Sequence, residues 1–439
     1  MRKPLLCLGI SLLIAVSCRQ ENSIDERPLD RPSNFTLTDP TSRQNLENGD
    51  LISVQRIVSL SLDELRERLS GLAEPQFPIH LYRIVYRTSD LNGKAVDASG
   101  MIALPAERRD VYPLIALQHG TITSQVDAPS TSPRQGILEA SQGFMVAAQD
   151  YIGFGTATTT AHPYLIPEAY VQSGLDMIRA TREFAAQNKM LVPVFFLAGY
   201  SEGGYASLAI QQAIETQDHL KEEFLSPAFR LLASAPAAGP YNLSLTAVRS
   251  LNQEQVNPVN LLKVIKSYRH WYPEAELQYN DFFQLDTFAV DDAQGLEEKI
   301  EKDLLSGRWR VMQLLQMITP VTNQLVEENY LQRIRSIDFD KAYETQNPEA
   351  DDTGLIPLLD DNNLVRDWAP RIPTRLYQCS QDEVVPAVVA QATAEVFQTI
   401  DPETQVRAVI IDDPRFGHGN CPAVISPIEW FASFLANPT

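Results

Sequence analysis

The chain has 439 residues, of which 44% are hydrophobic and 21% are charged, as is typical of a globular protein with a large buried core. By length alone it has room for up to about three domains. Its 36 basic and 56 acidic residues give a formal net charge of −20 at pH 7. Binding to nucleic acid or to anionic lipid requires clustered Lys and Arg, so this composition disfavours nucleic acid as a partner and electrostatic adhesion to a membrane.

The first 17 residues have the organisation of a secretory signal peptide. Met1-Arg2-Lys3 is basic, and the apolar run from Leu5 to Val16 is too short to span a membrane. The segment Ala15-Val16-Ser17-Cys18 resembles the lipobox of bacterial lipoproteins. This resemblance implies a lipid on Cys18 and a lipoprotein of the bacterial cell envelope, periplasmic or at the outer membrane or cell surface. Simple secretion after cleavage near Ser17 is the alternative.

Residues 18–50 are polar, rich in Pro and without hydrophobic periodicity, so we expect a flexible tether. Residues 51–241 are expected to form the first part of a core domain. Apolar runs bounded by glycine alternate there with helical stretches, which indicates a mostly parallel sheet flanked by helices, with an antiparallel edge at its start. The predicted strands are His80–Thr88, Val96–Leu104, Tyr112–Leu117, Gly143–Ala148, Val192–Leu197 and Arg230–Ala235, and the predicted helices are Ser61–Leu69 and Glu168–Gln187.

Residues 199–203 read Gly-Tyr-Ser-Glu-Gly and lie between a predicted buried strand and a predicted helix. Gly-x-Ser-x-Gly in this setting is typical of a nucleophile elbow, a tight turn that lifts the serine hydroxyl clear of the backbone. We therefore predict that Ser201 is a nucleophile, with an ordinary glycine-rich turn as the alternative. Because a serine hydroxyl alone is a weak nucleophile at neutral pH, the chain must also supply a base and an acid.

Residues 242–367 break the strand pattern. They contain amphipathic helical stretches and almost no strand-like runs, and they are too numerous for a loop. We predict a helical cap, or lid, inserted over the sheet, with helices at Val259–Trp271, Gly295–Leu305 and Trp309–Met317. Its aromatic side chains could line an apolar pocket or form the core of the cap itself; they include Tyr268, Trp271, Tyr272, Tyr279, Phe282, Phe283 and Phe288.

Residues 368–439 are expected to complete the core, with strands at Thr374–Cys379 and Gln405–Ile411 and helices at Ala387–Phe397 and Pro427–Leu435.

The loops after these two strands carry the predicted acid and base. Asp382 follows the first strand, and His418 lies in a glycine-flanked loop after the second. Serine, acid and histidine then follow one another in an order that is known for catalytic triads. Three further carboxylates remain alternatives for the acid: Glu383, Asp412 and Asp413.

The two cysteines outside the N-terminal segment are Cys379 and Cys421. Disulfides persist in an export compartment, so we expect a bridge, with two unrelated buried thiols as the alternative. It would close a loop of about 43 residues, which the chain-entropy model equates with about 4 kcal/mol. Because Cys379 comes three residues before Asp382 and Cys421 three residues after His418, the bridge would join the acid loop to the base loop.

An oxyanion hole needs two donors beside the nucleophile. One is expected to be the backbone N–H of Glu202, and the other the N–H of Gly120 or Thr121 in the turn after a predicted strand. We expect a structural role for His119 and no direct chemical role for the Glu202 side chain.

Several motifs occur together in a fixed order: Gln-His-Gly-Thr at 118–121, Asp-Tyr-x-Gly-x-Gly at 150–155, His-Pro-Tyr at 162–164 and Gly-Tyr-Ser-x-Gly-Gly at 199–204. Together with Asp382 and His418, they resemble the secretory-lipase branch of the α/β-hydrolases over residues 80–437. The resemblance implies the α/β-hydrolase fold, with a helical cap inserted after the sixth strand. It also implies that Asp150 and Tyr151 shape the wall of the site.

The sequence thus predicts a lipid-anchored serine esterase or lipase that acts on a small-molecule or lipid ester through an acyl-enzyme, without a metal or an organic cofactor. Two alternatives remain open. The triad could cleave peptide bonds, as in relatives of prolyl oligopeptidase, although the N-terminal region is too short for their propeller domain. The chain could instead be a catalytically silent hydrolase fold that serves as a surface binding protein. The acyl length of the substrate and the oligomeric state are not indicated.

Overall fold

The fold is built on one sheet of ten strands, with helices on both of its faces. The computed structural model describes residues 45–69, 72–251, 258–283, 290–311, 313–314 and 354–436, and the structural statements below concern these residues. Along the sheet the strand order is β1-β2-β3-β5-β4-β6-β8-β9-β10, and β7 pairs with β8. The strands are β1 (Leu51–Leu60), β2 (Ile79–Ser89), β3 (Ala95–Pro105), β4 (Leu114–Gln118), β5 (Met145–Gln149), β6 (Val194–Tyr200), β7 (Leu225–Ser226), β8 (Phe229–Ala237), β9 (Thr374–Cys379) and β10 (Val406–Ile411).

The sheet is mostly parallel, as predicted. Strands β5, β4, β6, β8, β9 and β10 run parallel, whereas β1, β2 and β3 form the antiparallel end. The sequence did not predict β1, which places the edge one strand further out. Gly49 and Asp50 already form main-chain hydrogen bonds to Arg87 in β2, so the predicted tether ends before residue 50. The predicted signal peptide, Cys18 and residues 19–44 of the tether lie outside the described residues.

Eleven α-helices are described. They are α1 (Leu62–Arg68), α2 (Ile137–Ser141), α3 (Pro167–Gln187), α4 (Glu202–Thr216), α5 (Asp218–Phe224), α6 (Leu243–Leu251), α7 (Pro258–Trp271), α8 (Ala293–Glu298), α9 (Leu355–Asp361), α10 (Ala387–Ile400) and α11 (Ile428–Ala436). The helix predicted at Gly295–Leu305 is split, because α8 ends at Glu298 and a π-helical turn, Lys299–Leu304, follows. Of the helix predicted at Trp309–Met317, residues 312 and 315–317 lie outside the described part. No described helix is long and apolar enough to cross a membrane.

Helices cover both faces of the sheet, and neighbouring residues of β6 show why. Successive side chains of a strand point to opposite faces. Phe195 stacks on Phe229 in the cluster that includes α3 and α5, whereas Phe196 stacks on Phe431 of α11. Both phenylalanines are fully buried. The apolar run in β6 therefore satisfies two separate cores, which explains why it lacks the alternation of a half-exposed strand.

The segment between β8 and β9 contains α6, α7, α8 and α9. The segment follows the sixth of the predicted strands, which is β8, because β1 and the two-residue β7 were not among those predicted. Its apolar side chains belong to one cluster with residues of the loop before α3 and of α4. Four of the aromatic residues considered for a pocket are buried in this cluster, Tyr268, Tyr279, Phe282 and Phe283, while Trp271 and Tyr272 are partly buried against it. Phe288 lies outside the described residues.

Candidate active site

Ser201 lies at the turn between β6 and α4. Its φ of 57° and ψ of −120° are unusual for a residue with a side chain, as expected of a strained nucleophile turn. The flanking glycines are required by close backbone packing. A β-carbon at Gly203 would lie 2.0 Å from the carbonyl oxygen of Gln118, and one at Gly199 would lie 2.2 Å from that of Gly203. The local sequence therefore permits a turn in which Ser201 is 7% exposed.

The three predicted catalytic side chains lie together, although they are far apart in the chain. His418 Nε2 is 2.9 Å from Ser201 Oγ, and His418 Nδ1 is 2.7 Å from Asp382 Oδ2. Ser201 follows β6, Asp382 follows β9 and His418 follows β10, so each side chain stands at the carboxyl end of a parallel strand. This arrangement allows the imidazole to accept the serine proton while the carboxylate holds its other nitrogen.

The Asp382 carboxylate is held by donors on both oxygens. Its Oδ1 accepts the main-chain N–H groups of Val384 and Val385 at 2.9 and 2.8 Å. Its Oδ2 accepts a hydrogen bond from Gln378 Nε2 at 2.8 Å, beside the contact to His418. Because the carboxylate side chain is fully buried and bonded on both sides, its orientation towards the imidazole is fixed.

The alternative acids have other partners. Glu383 accepts the main-chain N–H of His418 at 2.9 Å. Asp412 accepts a hydrogen bond from Ser380 Oγ, and Asp413 forms an ion pair with Arg415. Among the described carboxylates near this loop, the geometry therefore favours Asp382 as the partner of the imidazole.

Cys379 and Cys421 form the predicted disulfide, with 6.0 Å between their Cα atoms. The bridge joins the end of β9 to the single 3-10 turn that follows His418. In addition, Tyr200 Oη donates a hydrogen bond to the carbonyl oxygen of His418 at 2.7 Å. The acid loop and the base loop are thus tied to each other and to the residue before the nucleophile.

The predicted oxyanion loop runs beside the nucleophile. A β-carbon at Gly120 would lie 3.7 Å from Ser201 Cβ and 3.2 Å from the carbonyl oxygen of Tyr200. Thr121 Oγ1 is hydrogen-bonded to Tyr164 Oη at 2.9 Å. The imidazole of the preceding His119 is fully buried and contacts the carbonyl oxygens of Gly120 and Asp150. Gly120 is thus brought close to Ser201, and His119 bonds to the main chain of this loop.

Asp150 and Tyr151 lie buried behind this loop. The Asp150 carboxylate accepts hydrogen bonds from the hydroxyls of Ser99 and Ser130, at 2.6 and 2.5 Å, and from the Ser130 N–H. Tyr151 Oη donates to the carbonyl oxygen of His119 at 2.8 Å. These contacts support the oxyanion loop from behind, and exposure of either side chain to a substrate stays a prediction.

The Glu202 side chain belongs to a buried polar cluster that sequence reasoning missed. Its Oε1 accepts hydrogen bonds from His162 Nε2 at 2.8 Å and from Tyr170 Oη at 2.9 Å. Lys263 Nζ of α7 lies 3.9 Å from Oε2. Burial alone would raise the pKa of Glu202, but the nearby Lys263 and His162 lower it to about 2. The sequence signals for this cluster were the His-Pro-Tyr motif and a lysine within the amphipathic stretch Val259–Trp271.

A cavity of about 520 Å³ lies on the cap side of this cluster. Its lining includes Thr123, Phe154, His162, Lys263 and Glu301. Ser201 is not among the described residues that line it, so this cavity is separate from the hydroxyl of the candidate nucleophile.

The fold, the turn at Ser201 and the similarity to solved structures together identify the chain as an esterase/lipase-like α/β-hydrolase. The rice cell wall degrading esterase LipA of Xanthomonas oryzae is 26% identical to it, with a TM-score of 0.68 over 89% of this chain and 95% of that one. A proposed hydrolase of Legionella pneumophila is 21% identical, with a TM-score of 0.71 over 89% and 99%. Candida antarctica lipase A in its closed state is 16% identical, with a TM-score of 0.56 over 91% and 86%. No family model and no curated protein matches the chain by sequence.

Proposed function

We propose that the protein hydrolyses carboxylic esters, with Ser201 as nucleophile, His418 as general base and Asp382 as the acid that orients it. The observation that carries this proposal is the continuous pair of hydrogen bonds from Ser201 Oγ through the imidazole to the Asp382 carboxylate, at 2.9 and 2.7 Å. Similarity to an esterase and a lipase of the same fold supports esters as the substrate class.

In the proposed reaction Ser201 Oγ attacks the ester carbonyl while His418 Nε2 takes the hydroxyl proton. The N–H of Glu202 and that of Gly120 or Thr121 stabilise the negative oxygen of the tetrahedral intermediate; losing one such donor typically costs about 3 to 4 kcal/mol. The alcohol then leaves with the proton from His418, and an acyl-enzyme remains. Water, activated by the same imidazole, releases the acid and restores Ser201.

We further propose that the enzyme is exported and anchored through a lipid on Cys18, with a signal peptide at 1–17 and a tether that begins at residue 18. The Cys379–Cys421 bridge supports an oxidising compartment. The LipA neighbour is described as cell wall degrading, which supports an action outside the cytoplasm. In this proposal residues 242–367 form the cap between the two core parts, 51–241 and 368–439, and determine which esters reach Ser201.

The decisive experiment is hydrolysis of p-nitrophenyl esters of increasing acyl length by the purified protein and its Ser201→Ala variant. We expect S201A to lose activity by about 10³-fold or more, because the nucleophile is removed. Ser173→Ala is a matched control, since this buried hydroxyl lies in α3 and bonds to the carbonyl oxygen of Ala169. Unchanged hydrolysis by S201A would contradict the proposal.

The two alternatives predict different results in companion assays. A preference for peptide amides over esters would indicate a peptidase of the prolyl-oligopeptidase type. A protein whose Ser201 is not labelled by a fluorophosphonate probe would be a silent hydrolase fold with a binding role. Labelling that disappears in S201A is expected for the esterase.

A further inference from the structure

Lys263 is a buried cation whose role nothing in the proposed reaction explains. Its side chain, on α7, is 8% exposed. The ammonium donates a hydrogen bond to the carbonyl oxygen of Ile122 at 2.7 Å and lies 3.9 Å from Glu202 Oε2. It also lies 4.3 Å above the ring of Tyr164. A buried charge is costly unless its partners are well placed, so such a group points to a constraint at this position.

The two polar partners of Lys263 belong to the two segments that carry the predicted oxyanion donors. Ile122 directly follows Thr121 in the oxyanion loop, and Glu202 directly follows Ser201 in the elbow. The Lys263 ammonium is therefore next to both segments: it is hydrogen-bonded to the main chain of the loop and lies 3.9 Å from a side-chain oxygen of the elbow. Glu202 Oε2 has no hydrogen-bond donor among the described residues, and the Lys263 ammonium lies 3.9 Å from it.

We propose that Lys263 is a positioning residue that holds the oxyanion loop and the nucleophile elbow at the spacing needed to stabilise the tetrahedral intermediate. This inference rests on the proposed ester hydrolysis. Lys263 does not contact the reacting atoms; it acts through Ile122 and Glu202. Because it belongs to α7, it also makes the oxyanion geometry depend on the helices between β8 and β9.

The link that Lys263 makes between the oxyanion loop and the elbow requires Lys263 to be protonated. A neutral amine can still donate to Ile122, but it no longer attracts the Glu202 carboxylate, so the link to the elbow is lost. Burial lowers the pKa of Lys263 to about 8; the Glu202 charge opposes this shift, and the neighbouring Lys266 adds to it. The other titratable groups around the pair are His162 and Tyr170, which bond to Glu202, the buried His119, and Tyr164, whose pKa is raised by burial.

The test measures kcat and KM for p-nitrophenyl butyrate from about pH 6 to about pH 10, corrected for spontaneous hydrolysis. In the wild type we expect kcat to fall above about pH 8, as Lys263 loses its proton. Lys263→Met is expected to lower kcat about 10- to 100-fold at pH 7, with a smaller change in KM, because the oxyanion donors lose their spacing. Lys263→Arg keeps the charge at all these pH values and should recover part of kcat without the alkaline fall.

Two further variants test whether the alkaline fall comes from the contact between the Lys263 ammonium and the Glu202 carboxylate. Glu202→Gln removes the carboxylate that the ammonium attracts, so kcat should be lower than that of the wild type at pH 7 and the alkaline fall should be absent. Lys266→Met is the matched control: it lies one turn away on α7 and bonds to the carbonyl oxygen of Leu305. It should keep the kcat of the wild type at pH 7 and move the fall slightly to higher pH, because a neighbouring positive charge is removed.

The inference is overturned if K263M loses no more kcat than K266M, or if E202Q keeps the alkaline fall of the wild type. Should K263M fail to fold in a thermal unfolding control, the pH profile of E202Q, compared with that of K266M, still decides. Failure of the proposed function is seen separately, as activity that survives in S201A. If S201A is inactive but K263M and K266M have the same kcat, the proposed role of Lys263 is contradicted and the proposed ester hydrolysis is not.

Discussion

The two sides of Ser201 are held in different ways. On the acid–base side, the loops after β9 and β10 are joined by the Cys379–Cys421 disulfide, and Tyr200 bonds to the main chain of His418. On the oxyanion side, the loop after β4 is held by polar contacts to the segment between β8 and β9. Lys263 donates to Ile122 at 2.7 Å, and Thr123 Oγ1 donates to the carbonyl oxygen of Trp309, also at 2.7 Å.

This difference separates the groups proposed for proton transfer from the groups proposed to bind the oxyanion. The groups proposed for proton transfer are held by contacts within the sheet and the loops after β9 and β10. The oxyanion loop contacts elements that come from a different part of the chain, between β8 and β9. We therefore expect changes on the acid–base side to affect catalysis directly or through global stability, and changes on the oxyanion side to affect mainly the rate of the chemical step.

The largest effect is expected on the acid–base side, from Asp382→Asn. The amide cannot stabilise the protonated imidazole and favours the wrong tautomer, so kcat should fall about 10³- to 10⁴-fold with the fold intact. The measurement is steady-state hydrolysis of p-nitrophenyl butyrate. Glu383→Gln is the control, because Glu383 bonds to the His418 main chain and not to its ring. An equal loss in both variants would argue against Asp382 as the acid.

Removing the disulfide should mainly affect stability. For a sequence separation of 42 residues, the chain-entropy model gives a loss of about 4 kcal/mol in the free energy of unfolding of a Cys379→Ala/Cys421→Ala variant. Urea unfolding at constant pH measures this change. A reducing agent should destabilise the wild type in the same way and leave the double variant unaffected. An equal free energy of unfolding for the variant and the wild type would contradict a stabilising role of the disulfide.

Acid titration should reveal the Glu202 cluster on the oxyanion side. The pKa of Glu202 is lowered from 4.5 to about 2 in the folded protein, so the unfolded chain takes up the proton at higher pH. Its ionised form therefore contributes stability that is present above about pH 4.5 and is lost as the pH falls towards about 2. Urea unfolding between these pH values should show a steeper loss for the wild type than for Glu202→Gln. Parallel curves for the two proteins would contradict a charged Glu202.

The smallest effect is expected from Tyr164→Phe. This change removes the hydrogen bond between Tyr164 Oη and Thr121 Oγ1, while the oxyanion loop keeps its contacts to Lys263 and Trp309. Loss of one neutral hydrogen bond is worth about 1 kcal/mol, or about fivefold in kcat if the bond matters in the transition state. Tyr86→Phe is a matched control, because this buried hydroxyl bonds to the main chain of Ser173. A drop of the same size in both variants would show a general effect of stability.

Much of the core could be predicted because its signals are local and repeat along the chain. Apolar runs bounded by glycine predicted a mostly parallel sheet, and the Gly-x-Ser-x-Gly turn predicted Ser201. The carboxyl ends of parallel strands meet at one edge, so the residues after β9 and β10 could be expected near the nucleophile. The disulfide was expected because Cys379 and Cys421 are the two cysteines outside the N-terminal segment of a chain predicted to be exported, and it is present.

Other features were decided only by the tertiary structure. The outer strand β1 was missed because it gains its partners from β2, and the helix predicted at Gly295–Leu305 turned out to be interrupted by a π-helical turn. Lys263 and Ile122 are 141 residues apart, and no periodicity or motif links them. The sequence by itself determined which groups we predict for the proton transfers. Which cation lies between the oxyanion loop and the elbow depends on how α7 packs against the core, and that contact exists only in the folded chain.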